Sequence, residues 1–579
     1  MNYLFEISVG PIQDFISAAR RTRDLWFGSN MISEIAKAIA KSVKDSGGQL
    51  IFPAPKDDNE LKPNSDLSVA NIILAKFEDS DCKKLRAVSD EAHEAAKARL
   101  RDYAGKVFAK MKDYIVKDRW GSQLDDIIEF YSAWVPIDGD YHSARKNVAR
   151  LLAGRKNIRD FKPSQCLDSV PKSSLDGLRE SVLIQNYAGK ELPTGVHIKP
   201  SEALDAIGLI KRVPNERDWV FPSVIRTALD TWIRGKGKEL LTDQDFKDMC
   251  NELAELGGLS RANLPGDIYE SFPYDGTVLL TDRHTSIIDD SRDKVEARKL
   301  CNKISIYIEN SERPPEPYLA FLCADGDKMG AALSAMKSAD EHRTFSRDLS
   351  SFALKARGVI MENHGICIYT GGDDVMAFLP LDTALDCARS LHDRFGNIMG
   401  KYGASLSVGV AIAHAMESLD FLLQFGRDAE KIAKKGIDGK AEKRGTDRNG
   451  LAVSVYSRGN IPFTVREQWK TLTDSKKLSE MSIEQRVKFF AKCFSNKEIP
   501  AKFPYELREN AKFYNNWPDD HTLKEAVVCD VKRIFKNKDL SLQSSEKTAF
   551  AEYIEAKVKD SATIREFADE LILAQWIGR

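Results

Sequence analysis

The stretch CIYTGGDDVMAFLP, Cys367–Pro380, sets two glycines and two adjacent acids between apolar runs. A second acidic turn closes the apolar run YLAFLCADGD, which begins at Tyr318 and ends on Asp325 and Asp327. If the two runs are neighbouring strands, Asp325, Asp327, Asp373 and Asp374 converge at one sheet edge. Carboxylates packed together repel, and their pKa values rise unless a cation neutralises them. Mg2+ meets that need, being a hard ion that takes oxygen ligands and keeps waters to exchange for substrate phosphates. Two such ions about 3.5–4 Å apart assist in-line phosphoryl transfer, one activating the attacking oxygen and the other stabilising the leaving group. Gly371 and Gly372 suit that site, because they permit a tight turn and leave room for a nucleotide close to the backbone. Either turn alone also reads as an ordinary acidic loop. Their pairing on adjacent strands is what points to a metal and phosphate centre.

Other residues carry a chemical and a plain reading. Lys434 and Lys435, in DAEKIAKK, could neutralise a triphosphate or form a solvated helix face. Ser405 and Ser407 alternate on a strand near the expected sheet centre, suited to a base, a metal-bound water or simple packing. His392–Asp393 lacks the further histidines and acid that a metal-dependent HD phosphohydrolase requires, and reads as helix surface. His142, His197, His284 and His414 form no ligand motif.

The elements that must position these residues follow from periodicity. NYLFEISVG alternates as a strand, and helical spacing follows from Ile12 to Trp26 and from Ile32 to Val43. Strands are expected near 67–77 and in DIIEFYSAWVPI, with a long charged helix or helix pair at 83–117 between them. From Tyr318 the order is β-α-β-β-α-β, that of a ferredoxin-like sheet, with an added helix and the strand LAVSVYSRG. The expected domains are a first α/β unit at 1–200, a mostly helical linking unit at 201–312, the acidic α/β unit at 313–461, and a charged helical unit at 462–579.

A chain of 579 residues is too long for one core, so three or four domains are expected. Its net charge of −1 argues for no partner by itself. Nine scattered cysteines without a CxxC pair suggest a reducing compartment. The amino terminus lacks a signal-peptide pattern, and no apolar run reaches the roughly 18 residues of a membrane span. The expected location is the cytoplasm. HSARKNVARLLAGRKNIRDFK, 142–162, and Arg20, Arg21 and Arg23 are basic, suited to RNA phosphates or to an ordinary helix face.

Three segments carry a family likeness. ADGDKMG (324–330), YTGGDDVMAFLP (369–380) and SVGPIQDFISAARRTRDLWFGSNMISEIAKAIA together resemble the large, polymerase-like subunit of type III CRISPR effector complexes. The opening segment, PKSSLDGLRESVL (171–183) and WVFPS (219–223) resemble the type III-B (Cmr) branch. The resemblance covers essentially the whole chain in domain order. It implies an α+β protein with two ferredoxin-like palm domains, interspersed and C-terminal helical domains, and ATP bound where the palms meet. It implies partners too: other subunits of the complex, a guide RNA, and a target RNA that switches on synthesis of a nucleotide second messenger. That product is a cyclic oligoadenylate in most members and an AMP conjugate in others, for which S-adenosylmethionine is a candidate acceptor.

Carried onto this chain, Asp325, Asp373 and Asp374 become the principal ligands of two Mg2+ or Mn2+ ions, with Asp327 as a further one. A 3′-hydroxyl of one ATP attacks the α-phosphate of another. Gly371 and Gly372 shape the nucleotide pocket, Lys434 meets triphosphate, and Gly28, Ser29 and Ser33 lie on the palm-facing edge of the first domain. Two departures from the family are expected. There is no HD nuclease domain, since the first palm starts at residue 3. There is no structural zinc, since CLDS (166–169) has one cysteine where relatives have a pair. The competing classes are a non-catalytic scaffold, a free-standing nucleotide cyclase that acts without RNA, and a template-directed polymerase.

Overall fold

The computed structural model describes residues 1–158, 169–185, 187, 192–193, 196, 198–199, 201–213, 222–235, 237–261, 272–311, 314–458, 461–475, 477–518, 520–538 and 541–578. Cys166 and the zinc expectation tied to it lie outside these residues. So do His197, 219–221 of WVFPS and 159–162 of the basic segment.

Two sheets form the frame, the first antiparallel and the second mixed. The first runs β1 (Tyr3–Gly10), α1 (Thr22–Asp45), β2 (Gln49–Phe52), β3 (Ile72–Phe77), α2 (Cys82–Met111) and β4 (Glu129–Pro136), followed by α3 (Tyr141–Asn157). Its order is β2-β3-β1-β4 with every pairing antiparallel, which is the ferredoxin-like arrangement. Phe5, Ile7 and Val9 alternate into the core with Phe27, Met31, Ile35 and Ile39 of α1, as period-two and helical spacing require.

The helix expected from Ile12 to Trp26 is interrupted before α1. There the Asp24 carboxylate accepts from the backbone N–H of Arg20 and of Arg21, each at 3.1 Å. The same carboxylate binds Arg212 at the end of α4 (Ala206–Arg212). Leu204, Ile207, Leu209 and Ile210 bury into the first core, so α4 packs with the first domain although it lies beyond residue 200. The following segment is mostly helical where described, including α5 (Gln244–Glu255) and α6 (Lys294–Glu309).

The second sheet is built from β5 (Tyr318–Asp327), α7 (Ala339–Glu362), β6 (Ile366–Thr370), β7 (Val375–Leu379), α8 (Leu381–Met399), β8 (Ser405–His414), α9 (Leu419–Lys435), β9 (Gly450–Tyr456) and β10 (Phe463–Gln468). The strand order is β10-β9-β8-β5-β7-β6. Strand β10 lies where helix was expected. Its side chains are all partly exposed, so this edge strand lacks the apolar alternation that marks a strand in sequence.

The C-terminal helices α10 (Ile483–Ser495), α11 (Phe503–Ala511), α12 (His521–Lys536), α13 (Ser544–Lys557) and α14 (Ser561–Ile577) share one continuous core with this sheet, contrary to the expectation of a separate unit. The ring of Trp576 stands 4.6 Å from that of Tyr318.

The two α/β units meet directly. Ser29 Oγ of α1 donates to the Ile368 carbonyl of β6 at 2.9 Å, and Ala54 N–H to Ser346 Oγ at 3.1 Å. Tyr141 OH and His342 Nδ1 share a buried hydrogen bond of 2.8 Å. Burial, with Arg145 nearby, pushes the His342 ring down to about 4. A histidine depressed this way stabilises the fold fully above its unfolded pKa near 6.5, and loses that stabilisation as pH falls toward the folded value. The expected loss is about 3 kcal/mol between those limits. Thermal midpoints measured against pH should fall there, and His342→Leu should show a shallower fall.

Candidate active site

The pairing of β5 with β7 runs from Ala320↔Leu379 to Ala324↔Val375. The pairs end there; carried one step past them, the same register sets Asp325 across from Asp374 and Gly326 across from Asp373. Side chains opposed in this way have Cβ atoms about 4.5–5.5 Å apart and share a face. The hairpin itself closes with the Gly371 N–H donating to the Asp374 carbonyl at 3.0 Å. Gly372 takes φ +107° at the first of the two tip positions, a conformation that L side chains rarely adopt. A Cβ on Gly326 would stand 2.8 Å from the Asp373 Cβ, so the missing side chain makes room for that acid.

The pleat divides the site. Ala324 and Val375 face α7 and α8 with Phe345, Leu349 and Leu385. Asp325 and Asp374 therefore face the opposite side, which α9 covers. That helix lies very close to β8: a Cβ on Gly409 would be 2.1 Å from the Glu430 nitrogen. This approach delivers Glu430 and Lys434, one helical turn apart, to the acidic strand ends. The Lys434 ammonium pairs with Asp325 Oδ2 and stands 3.0 Å from Glu430 Oε1.

Electrostatics mark the same place. Burial, then the charge of Asp374, pushes Asp373 up to about 7. Burial raises Asp374 as well. Burial, then Asp374 and Asp327, pushes Glu430 up to about 7. Burial, with Arg448 and Lys435 nearby, brings Lys434 down to about 8.

Several expectations change here. Asp327 is buried, and its Oδ2 accepts from Ser405 Oγ (2.9 Å), Ser407 Oγ (2.8 Å) and the Asn449 N–H (2.9 Å). Ser405 and Ser407 thus hold Asp327 in place of a base or a metal-bound water. Their alternation puts both on the side of β8 that faces this acid. Contact between Asp327 and a cation would run through Oδ1, which has no hydrogen-bond partner among the described residues. Ser33 Oγ accepts from Val69 N–H within its own domain, and Gly28 packs against Lys211 and Ile16. Of those three residues, Ser29 makes the contact with the second sheet.

His392 is not plain surface, since it stacks on Trp469 at 4.6 Å and meets Asn449 Oδ1 at 2.9 Å. Glu430 was not singled out in the sequence. Its signal is the i,i+4 spacing to Lys434 in DAEKIAKK.

Among the described residues, no three His, Cys, Asp or Glu side chains form a ready-made metal cage. The donor set still fits a hard divalent cation. Its opposed acids are oxygen donors whose mutual repulsion is countered by one ammonium, and Mg2+ ordinarily uses one or two carboxylates, completing its shell with water and phosphate. A groove of about 630 Å3, lined by Glu34, Lys37, Lys41, Lys84 and Arg99, lies apart on the first domain between α1 and α2.

Fold and site together define a pair of palm-type domains, the second bearing an acidic centre at its strand ends. Residues 318–443 match the family model of the Cas10/Cmr2 second palm domain, and residues 4–105 that of the CRISPR-associated protein Cmr2 N-terminal region. The chain is 21% identical over 568 residues to the CRISPR system Cmr subunit Cmr2 of Pyrococcus furiosus, covering 81% of this chain and 63% of that relative. Among solved structures it is similar to the type III-B Cmr-beta complex in its apo state, with TM-score 0.61, 14% identity, and 94% of this chain matched to 78% of that one. It is also similar to Cmr-beta bound to cognate target RNA, with TM-score 0.60, 13% identity, and 94% matched to 80%. At that identity the structural likeness carries the fold. No helix among the described residues is long and apolar enough to cross a membrane.

Proposed function

We propose that this chain is the nucleotidyltransferase subunit of a type III-B RNA-guided complex, converting ATP to a nucleotide second messenger. The observation that carries the reading is that Asp325 and Asp374 flank the last β5–β7 pair, Ala324↔Val375, with Asp373 at the hairpin tip and Lys434 on Asp325. Bound there, divalent cations supply Lewis-acid polarisation of the α-phosphate and activation of the attacking 3′-hydroxyl. Asp325, Asp373 and Asp374 would hold them and Asp327 would add Oδ1, its other oxygen being fixed by Ser405, Ser407 and Asn449. Gly371 and Gly372 keep the turn narrow beside the nucleotide. Lys434 neutralises triphosphate charge.

The proposed partners are the other subunits of the complex, with guide and target RNA, in the cytoplasm. Exposed Lys146 and Arg150 on α3, a helix without an acidic residue, support a phosphate-facing role. One observation favours a non-catalytic scaffold instead, namely that Lys434 already occupies Asp325.

The test is the reconstituted complex with guide RNA, ATP and Mg2+ or Mn2+, with and without matching target RNA and S-adenosylmethionine. Products are read by mass spectrometry. An adenylate product that requires target RNA is expected. Product without RNA would indicate a free-standing cyclase, and no product under any condition would favour the scaffold.

A further inference from the structure

We infer that Lys434 is a built-in competitor of the divalent cation: its ammonium and the cation hold the same oxygen of Asp325, and Glu430 receives the ammonium when the cation displaces it. The inference rests on the metal-site reading above.

Three observations carry it. The ammonium pairs with Asp325 Oδ2 while standing 3.0 Å from Glu430 Oε1, so a second acceptor is already in reach. The side chains are 25% exposed for Lys434, 28% for Asp325 and 21% for Glu430, so a hydrated ion and a swinging lysine both have access. The backbone of α9 is held against Gly409 of β8, so the exchange falls to side-chain rotation. Lysine suits this role, because its charge is compact and its four-carbon stem is flexible.

Cation binding is then an exchange of one positive charge for another at Asp325. Ion binding alone is weak, and any anion that offers the ammonium a further acceptor strengthens it. A polyphosphate is such an anion.

The probe is Mn2+ alone, titrated into the intact chain and followed by the electron paramagnetic resonance signal of the free ion. Lys434→Gln is expected to bind Mn2+ about five- to tenfold more tightly than wild type, the scale of one lost partly exposed charge-assisted contact. Lys434→Met should do the same, which separates the effect from any fault in folding of one variant. Asp325→Asn added to Lys434→Gln should erase the gain. Glu430→Gln alone should weaken binding several-fold, and should have no further effect in the Lys434→Gln background.

Equal or weaker Mn2+ binding by both lysine variants, with wild type binding normally, overturns the competition and leaves the metal site standing. Weakening by Glu430→Gln in both backgrounds makes Glu430 a ligand and overturns its receiving role. If neither wild type nor any variant binds Mn2+, the metal-site reading itself falls, and this inference with it.

Discussion

Changing Asp373 and Asp374 together to alanine is expected to lower product formation at least about a hundredfold, since the proposed cation site would lose two of its carboxylates where charge develops on the α-phosphate. Guide and target RNA should still bind. Stability should move the other way. Burial and the charge of Asp374 push the Asp373 carboxyl up to about 7, above its ordinary 3.8. An acid raised in the folded state costs stability increasingly as pH climbs from its unfolded toward its folded value. At pH 7.5 the variant loses that cost, so its thermal midpoint should equal or exceed that of wild type. Loss of product together with a lowered midpoint would mean that the residues support the fold more than the chemistry.

The second large effect lies far from the acids. Arg212 is buried between Asp24 and Glu202, with Nε and Nη2 on Asp24 at 3.0 and 2.9 Å and Nη1 on Glu202 at 3.0 Å. Arg212→Ala removes the cation hydrogen-bonded to both buried carboxylates, leaving only the more distant charge of Arg21, and should cost about 3–5 kcal/mol of stability. Burial alone would raise the Glu202 carboxyl, but Arg212, the Lys199 N–H and Arg21 together outweigh it and hold the group below its ordinary value. The stabilisation is therefore present above the unfolded pKa and lost as pH falls through the folded one. Thermal unfolding of the variant near pH 7 should show the full deficit, which should shrink on acidification. A deficit under about 1 kcal/mol would show that water or rearrangement replaces the arginine.

The sequence made the acidic centre legible because its signal is local. Apolar runs that end on acids give both the strands and their shared edge, and the β5–β7 pairing ends at Ala324↔Val375, next to Asp325 and Asp374. What stayed hidden depends on contacts between distant segments. The binding of Asp327 by Ser405, Ser407 and Asn449 needs β5, β8 and the residue before β9 side by side. The break before α1 depends on Asp24 turning back to Arg20 and Arg21 while holding Arg212, a residue 188 positions away. Strand β10 is an edge strand without a buried face, so periodicity had nothing to register. The union of the C-terminal helices with the second sheet rests on residues such as Trp576 against Tyr318, whose spacing alone reads equally well as a free-standing bundle.

Acids of two neighbouring strand ends are proposed to hold cations beside ATP phosphates. The most direct measurement is a structure of the intact chain with Mn2+ and a non-hydrolysable ATP analogue, the manganese located by anomalous scattering. The predicted result is manganese between Asp325 and Asp374, phosphates against it, and Lys434 drawn off Asp325. Manganese and nucleotide seated elsewhere, for example in the groove between α1 and α2, with Lys434 still on Asp325, would contradict it.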